Sequence, residues 1–344
     1  MNPFLDDIKN NFTATGVGSL PFSNAGEALD LVFDTLDFHI PFWPQLPRRS
    51  FYENMYVQFS ENFPGFKIDE VSKSVWVDTS SNDYIGQLEE CFNKTQSADL
   101  DYFAVTKPYA EALHLFSHRL MGASWQGWVK AQVIGPLSLG LSLLDENKNP
   151  VIYNPELSEL LPLFLSMKAA WIIRALKVHA KTKIIIFIDE PYLVAVGTSQ
   201  CSLPKADIVD KINQVVRVIH ESGALAGIHC CGNTDWELIM SSDIDILNFD
   251  AYGYLDKLVI YERALEAFLE KGSMPAIGIV TTNEDLLVPD FAGCAFDILK
   301  KHPRLLKNGA LITTSCGCSG LSEKSTRFAH KACAEIAERL RAEF

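Results

Sequence analysis

Residues 183–191 read KIIIFIDEP, an apolar and mostly β-branched run that ends in two carboxylates and a proline. A continuous apolar run of this length predicts a strand that is buried on both faces. Four further runs of the same kind follow, at 224–229, 244–249, 274–280 and 310–315. Helical patterns lie between and after these runs, near 205–221, 233–241, 256–271, 290–301 and 323–342. Buried strands that alternate with helices predict a parallel sheet covered by helices.

The first half of the chain holds three more strand patterns. Residues 13–18 precede a helical pattern near 24–37, residues 38–42 follow it, and residues 129–134 precede a long helical pattern near 155–179. Together with the five later runs they make eight βα units, the number that closes a (βα)8 barrel. The sequence therefore predicts an α/β protein in which residues 1–344 form one catalytic TIM-barrel domain.

Residues 43–127 do not fit this repeat and are predicted to form one long insertion after the second strand. The insertion is rich in aromatic residues: Trp43, Phe51, Tyr52, Tyr56, Phe59, Phe63, Phe66, Trp76 and Tyr84. Two interpretations stay open. The insertion is either a lid over the barrel mouth or an accessory subdomain that packs on the barrel edge.

Composition excludes several classes of protein. Of the 344 residues 48% are hydrophobic and 21% are charged, which is typical of a folded chain with a large core and not of a disordered one. Thirty Lys and Arg against 43 Asp and Glu give a net charge of -13. Such an acidic chain is not expected to bind nucleic acid or an anionic membrane, because both require cationic surfaces.

Targeting and cysteine usage indicate a cytoplasmic protein. No apolar run reaches the roughly 18 residues of a membrane span, and the polar stretch from Met1 to Asn11 is no signal peptide. Eight cysteines are too few for a disulfide scaffold in so long a chain. Four lie in clusters, and the other four are expected to be ordinary buried thiols: Cys91, Cys201, Cys294 and Cys333.

In a barrel of this kind the chemistry lies just beyond the carboxyl ends of the strands. After the first strand, the turn at Gly18 and Ser19 lets the backbone approach an anion such as a carboxylate. After the fourth strand, Asp189 and Glu190 are candidate catalytic residues, since paired carboxylates hold an ammonium group or move a proton. A helix cap is the alternative for these carboxylates.

The ends of three other strands carry residues that favour a metal. His229 and Cys231 are two positions apart in a strand, so they share a face. Cys316 follows the last strand, with Cys318 two residues further on, and Asp250 follows the sixth. We expect His229, Cys231 and Cys316 to converge on one rim and to bind Zn²⁺, with Asp250 as a candidate fourth ligand. An oxygen ligand or an open position would make the site catalytic.

These residues resemble those of cobalamin-independent methionine synthases, a family of the uroporphyrinogen decarboxylase and methionine synthase-like superfamily. The Gly-Ser-Phe-Pro-like turn of the family corresponds to residues 18–21, and its Ile-Asp-Glu-Pro segment is identical at 188–191. Its His-x-Cys, Glu and Cys-Gly zinc motifs resemble 229–231, Asp250 and 316–317. The resemblance covers roughly residues 12–342, the family's catalytic C-terminal barrel in a short single-barrel form.

The resemblance implies a zinc-dependent transfer of a methyl group onto the thiol of homocysteine, which yields methionine. Asp189 would hold the ammonium group of the amino acid, with Glu53 of the insertion as a second candidate for that group. The Gly18–Ser19 turn would hold the carboxylate.

Three departures from the family matter, the first for the zinc ligands and the other two for the methyl donor. Asp250 stands where the family has Glu, the Asp-x-His segment after the seventh strand is missing from 278–283, and the chain has no room for the family's second, N-terminal barrel. In the family, the His of the Asp-x-His segment is linked to protonation of the folate leaving group. The missing His and the missing second barrel therefore favour a methylated corrinoid as the methyl donor over methyl-folate. The corrinoid would be free or bound to a corrinoid protein.

Two rival classes remain: another enzyme on the same barrel, such as a uroporphyrinogen decarboxylase-like enzyme or a methylcobamide:thiol methyltransferase, and a scaffold with a structural zinc.

Overall fold

The computed structural model of this protein describes residues 5–344. The sequence predicts no signal peptide in the stretch from Met1 to Asn11, and the first four residues of that stretch lie outside the described range. In that range the strands are β1 Phe12–Ala14, β2 Phe66–Asp69, β3 Ser74–Val77, β4 Trp128–Ile134, β5 Lys183–Asp189, β6 Leu225–Cys230, β7 Ile246–Phe249, β8 Met274–Val280 and β9 Ala310–Thr314. The α-helices are α1 Ala25–Thr35, α2 Met55–Gln58, α3 Tyr84–Gln96, α4 Glu111–Gly122, α5 Pro136–Ser142, α6 Pro155–Leu176, α7 Lys205–Glu221, α8 Trp236–Met240, α9 Ala251–Val259, α10 Glu262–Glu270, α11 Phe291–Leu299 and α12 Glu323–Glu343.

Seven of these strands form one curled parallel sheet, with helices packed around it. Its order is β1-β9-β8-β7-β6-β5-β4, and each neighbouring pair is parallel. Strands β4 to β9 are buried along almost their whole length, as the continuous apolar runs predict. The predicted α/β class and seven of the eight predicted strands are therefore confirmed, whereas the closed (βα)8 barrel stays a prediction.

The predicted second strand at 38–42 is wrong as a regular strand. Phe38 has a left-handed backbone (φ 65°), and Pro41 has no N–H to give to a ladder. The segment nevertheless lies between the two sheet edges: Ile40 N donates to Ala14 O (3.0 Å), and Trp43 N donates to Lys130 O (2.9 Å). An irregular segment thus takes the place of an eighth strand between β1 and β4.

The amino ends of the strands are covered by a separate apolar core, in which residues from the start of the chain pack on the inner faces of the strands. Its buried members are Leu5, Ile8, Ile40, Ile185, Phe187, Leu225, Ile246, Met274, Ala276 and Leu311. Above this layer, toward the carboxyl ends, the inward positions become polar: Lys130, Gln132, His229, Asn248 and Thr313 are buried. The polar interior therefore faces the end of the sheet where chemistry was expected.

Side-chain caps mark the starts of seven of the twelve α-helices in residues 5–344. Helix α6 begins where the Asn154 side chain accepts a hydrogen bond from Leu157 N, with Pro155 at its first position. The single helix predicted near 256–271 is two helices, α9 and α10, separated at Ile260 and Tyr261. Neither break residue is a glycine or a proline, and the periodicity of the sequence continues across the break.

The segment 43–127 carries the β2–β3 hairpin and helices α2 to α4. Four of the nine aromatic residues named above are buried in the main core: Trp43, Phe59, Phe63 and Tyr84. The Phe63 ring packs on Phe164 of α6 with 5.2 Å between ring centroids. Much of the aromatic content of this segment is therefore structural packing against the helical layer.

Two smaller expectations have mixed outcomes. Cys91, Cys201 and Cys333 are buried as predicted, but Cys294 is exposed, because it lies on the outward side of α11. Across residues 5–344, the helices include none with the length and apolar character that crossing a membrane requires.

Candidate metal centre

Three side chains from two strand ends meet at the carboxyl edge of the sheet. His229 lies in β6, Cys231 follows that strand directly, and Cys316 follows β9. One potential ligand atom from each of the three lies within 4.8 Å of the other two. Cys230 points away into the main core, where its thiol donates to Gly232 O at 3.5 Å. The structure thus brings together the first three predicted ligands and separates them from the neighbouring thiol.

The two thiols share a proton in a way that creates one thiolate. The hydrogen bond from Cys316, and next the one from His229, lower the pKa of Cys231 to about 4. The same bond to Cys231, together with burial, raises the pKa of Cys316. Burial alone would lower the pKa of His229, but the hydrogen bond to Cys231 and the negative charge of Asp189 raise it above its usual value. The hydrogen bonds around Cys231 therefore favour its thiolate form.

This donor set suits zinc. One imidazole nitrogen and two sulfur atoms are ligands that Zn²⁺ binds with high preference, and a cation in place of the shared proton would stabilise both thiolates. Three protein ligands leave a fourth position for a substrate, which is the pattern of catalytic zinc sites. Hence His229, Cys231 and Cys316 are the residues that could hold the metal.

Asp250 lies beside this group but outside its 4.8 Å radius. It is the N-cap of α9, and its Oδ1 accepts a hydrogen bond from Gly253 N at 2.9 Å. Burial raises the pKa of Asp250, and the nearby charge of Cys231 raises it further. Asp250 is therefore a neighbour of the centre that already has a structural role, and its role as fourth ligand stays a prediction.

Asp189 ends β5 and has a carboxylate oxygen, Oδ1, that is buried without any hydrogen-bond partner in residues 5–344. Burial raises the pKa of Asp189 to about 6, while the positive charges of Lys130 and His229 act in the opposite direction. A buried acceptor without a donor is costly, so a positively charged or hydrogen-bonding ligand at this point would be stabilised.

Glu190 is committed to the backbone of a neighbouring helix. Its carboxylate accepts hydrogen bonds from Leu137 N (2.9 Å) and Ser138 N (2.8 Å) in the first turn of α5. A Cβ at Gly135 would lie 2.1 Å from this carboxyl group, so the close approach requires glycine there. Burial raises the pKa of Glu190 to about 7. The geometry matches the cap alternative, with the cap on α5 and not on the helix that follows Glu190.

The turn after β1 packs directly on the loop that carries Cys316. Cys318 N donates to Ser19 O at 2.7 Å. A Cβ at Gly317 would lie 2.0 Å from Ser19 Oγ, so these two loops touch. Gly18 O accepts a hydrogen bond from Gln45 N at 3.1 Å. Gly18 and Ser19 are therefore close to the metal centre, at a position where they could line a substrate pocket.

Glu53 is not brought to this group. Its carboxylate is buried and accepts from Arg49 Nε (2.6 Å), Leu46 N (2.9 Å) and Glu111 N (3.2 Å). Burial raises its pKa, and Arg49 opposes that effect. Both carboxylate oxygens of Glu53 therefore bond to groups of the segment 43–127, which indicates a structural role for Glu53 in that segment.

Sequence reasoning missed three residues around the centre. Asn248 of β7 bonds to His229, with 2.6 Å between Oδ1 and Nδ1. Burial raises the pKa of Tyr56 of α2 to about 12, with smaller contributions from the nearby charges of Tyr192 and Cys231. The Tyr56 ring packs edge-to-face on Tyr192 at 6.4 Å between centroids. The signals available were the polar Asn248 inside an apolar strand and an aromatic residue in the insertion, but neither signal indicates a partner.

Comparisons with known proteins add a likeness of fold. No protein-family model matches the chain, and no curated protein matches it. The fold is similar to that of a B12-independent methionine synthase from a Shewanella species, solved with selenomethionine, at 19% identity and a TM-score of 0.48 over 66% of this chain and 67% of that one. It is also similar to a putative vitamin-B12 independent methionine synthase from Listeria monocytogenes, at 13% identity and a TM-score of 0.46 over 82% of this chain and 77% of that one.

Proposed function

We propose that this chain is a zinc-dependent methyltransferase that moves a methyl group onto a thiol, with homocysteine as acceptor and a methylated corrinoid as donor. The observation that carries the proposal is the convergence of His229, Cys231 and Cys316 within 4.8 Å at the carboxyl edge of the sheet. Asp189 Oδ1, which has no hydrogen-bond partner in the described part of the chain, lies beside that edge and supports an amino-acid acceptor.

His229, Cys231 and Cys316 would hold the zinc. When bound, zinc lowers the pKa of a coordinated thiol, which free in water is about 8.5, and so supplies a thiolate nucleophile at neutral pH. The chain contributes position: the acceptor sulfur and the methyl group must be held in line for the new S–C bond to form as the old bond of the methyl group breaks. A site at the sheet edge, between packed loops, provides that alignment.

Asp189 would hold the ammonium group of homocysteine by a charge-assisted hydrogen bond. The turn at Gly18 and Ser19, which touches the Cys316 loop, would hold the carboxylate. In this arrangement an amino acid bound between the two groups would place its thiol toward Cys231 and Cys316. Glu190 contributes by fixing the end of β5 against α5.

Two observations support the donor. The segment after β8, Thr281 to Asn283, offers no His to protonate a folate leaving amine. Tyr56 and Tyr192 form an aromatic wall near Cys231, against which the flat ring of a methyl donor would rest. The segment 43–127 thus supplies one side of the donor pocket. In this proposal residues 1–344 would act as one catalytic domain, and the irregular segment at 38–42 would take the place of the eighth barrel strand.

A parallel assay tests the proposal. Purified zinc-loaded protein is given homocysteine with either methylcobalamin or methyl-tetrahydrofolate, and methionine and the demethylated donor are both measured. Methionine formed from methylcobalamin supports the proposal. Turnover with methyl-folate alone would replace the donor and leave the zinc–thiol chemistry standing. A protein that binds no zinc, or that transfers methyl groups only to thiols without an amine, would overturn the proposed function. Such a protein would point to the decarboxylase-like or methylcobamide:thiol classes.

A further inference from the structure

A chain of hydrogen bonds crosses the inside of the sheet directly below the metal centre, and Asn248 of β7 lies at its middle. Asn248 is fully buried. Its Oδ1 lies 2.6 Å from His229 Nδ1 in β6, and its Nδ2 lies 2.9 Å from Ala276 O in β8 and 2.9 Å from Thr313 Oγ1 in β9. One side chain therefore links four neighbouring strands.

The partners determine which way the amide of Asn248 points. Ala276 O is a carbonyl oxygen and can only accept a hydrogen bond. Thr313 Oγ1 uses its own proton on Thr314 O at 3.0 Å, so toward Asn248 it acts as the acceptor. Both N–H groups of the amide are thus taken up on that side. The oxygen of Asn248 must face His229.

An oxygen that faces Nδ1 of His229 requires a proton on that nitrogen. The neutral imidazole then carries its lone pair on Nε2, the atom available to Cys231, Cys316 and a metal. The next residue of β9 makes a separate hydrogen bond to the backbone of the third ligand, since Thr314 Oγ1 donates to Cys316 O at 2.7 Å. Strands β6 and β9, which carry the ligands, are therefore tied together through Asn248.

We propose that Asn248 is the positioning residue of the metal centre: it selects Nε2 of His229 as the ligand atom and holds His229 in register with the Cys316 loop. The proposal rests on the metal centre and is independent of the acceptor and donor. Outer partners of this kind orient the imidazole of a ligating His and raise metal affinity.

The test compares Asn248→Leu with a matched control, Asn308→Leu. Asn308 also donates two Nδ2 hydrogen bonds, to Leu269 O (2.7 Å) and Ser273 O (2.9 Å), but at the amino end of β9. Both variants should unfold at a lower temperature. Zinc affinity, measured by competition with a chelator, should fall about 10–100-fold in Asn248→Leu and stay unchanged in Asn308→Leu. Asn248→Asp, which keeps an acceptor for Nδ1–H, should bind zinc better than Asn248→Leu does.

A measurement on the unaltered protein keeps the proposal falsifiable even where Asn248→Leu does not fold. ¹⁵N NMR of selectively labelled His should show His229 protonated at Nδ1 without zinc and ligated through Nε2 with zinc. A zinc-free His229 without a proton on Nδ1, ligation through Nδ1, or equal zinc affinity in the two Leu variants would overturn it. Because these readouts need no methyl donor or acceptor, a wrong methyltransferase assignment would leave the result intact.

Discussion

Replacing Asp189 by Asn isolates the charge that we assign to the acceptor's ammonium group. The two side chains have nearly the same shape, so β5 and its neighbours keep their packing. In the unaltered protein Asp189 Oδ1 is buried without a hydrogen-bond partner among residues 5–344, and an ammonium group would supply the missing donor. The substitution removes a charge-assisted hydrogen bond, which is worth about 1.5–3 kcal/mol.

At about 1.4 kcal/mol per factor of ten, the loss corresponds to one to two orders of magnitude in kcat/KM for homocysteine. A thiol without an amine makes no such bond, so its kcat/KM should change little. The assay is methyl transfer to homocysteine and to a simple alkanethiol at saturating donor, with zinc content measured in parallel. Asp256→Asn, an exposed position on α9, is the control for removal of one negative charge.

The pH dependence of the unaltered protein provides a second readout of the same charge. Burial raises the pKa of Asp189 to about 6, so the carboxylate becomes protonated as the pH falls through that value. The KM for homocysteine should therefore rise below about pH 6 in the unaltered protein and stay flatter in Asp189→Asn. Equal losses for both kinds of thiol in the variant would refute the ammonium assignment and make Asp189 a structural or chemical group.

The raised pKa of Asp189 also predicts that Asp189→Asn, which weakens homocysteine binding, stabilises the fold. A raised pKa in the folded state means that folding opposes ionisation of Asp189, so the penalty is absent below the unfolded-state pKa and complete above about pH 6. Asp189→Asn should therefore unfold at a higher temperature than the unaltered protein at pH 8, with the difference fading toward pH 4. Thermal unfolding at the two pH values measures it.

Three further substitutions test the surroundings of the centre. Cys316→Ser should strip most of the zinc, while Cys318→Ser should keep it, because Cys318 is buried outside the 4.8 Å group; zinc measured by atomic absorption in both variants decides between them. Asp250→Ala should lower zinc affinity about 10–100-fold if the carboxylate binds or supports the metal. If zinc affinity stays unchanged and turnover is lost, Asp250 contacts the substrate instead. Tyr56→Ala should raise the KM for the methyl donor several-fold and leave the KM for the thiol unchanged. The control is Tyr52→Ala, because Tyr52 forms a similar edge-to-face pair with Tyr109 in the same segment, and it should change neither KM. An equal effect of both variants would mean that the substitutions disturb the segment as a whole.

The sequence alone determined the features that depend on local pattern. Continuous apolar runs such as 183–188 specify strands buried on both faces, and seven of the eight predicted barrel strands form. The alternation of side chains along a strand put His229 and Cys231 on one face and Cys230 on the other, as the core position of Cys230 shows. Local periodicity encodes these features because each depends on neighbours within a few residues.

Only the tertiary structure decided the features that depend on residues far apart in the chain. It replaced the strand at 38–42 by an irregular segment held between β1 and β4, and it gave Glu190 to the first turn of α5, about fifty residues earlier. It placed Cys316 beside Cys231 while Cys318 turned into the core. It also set the amide of Asn248 through acceptors on two other strands. The physical reason is that hydrogen-bond partners and ligand distances are set by the pairing of strands across the sheet, which the order of residues along one strand does not contain.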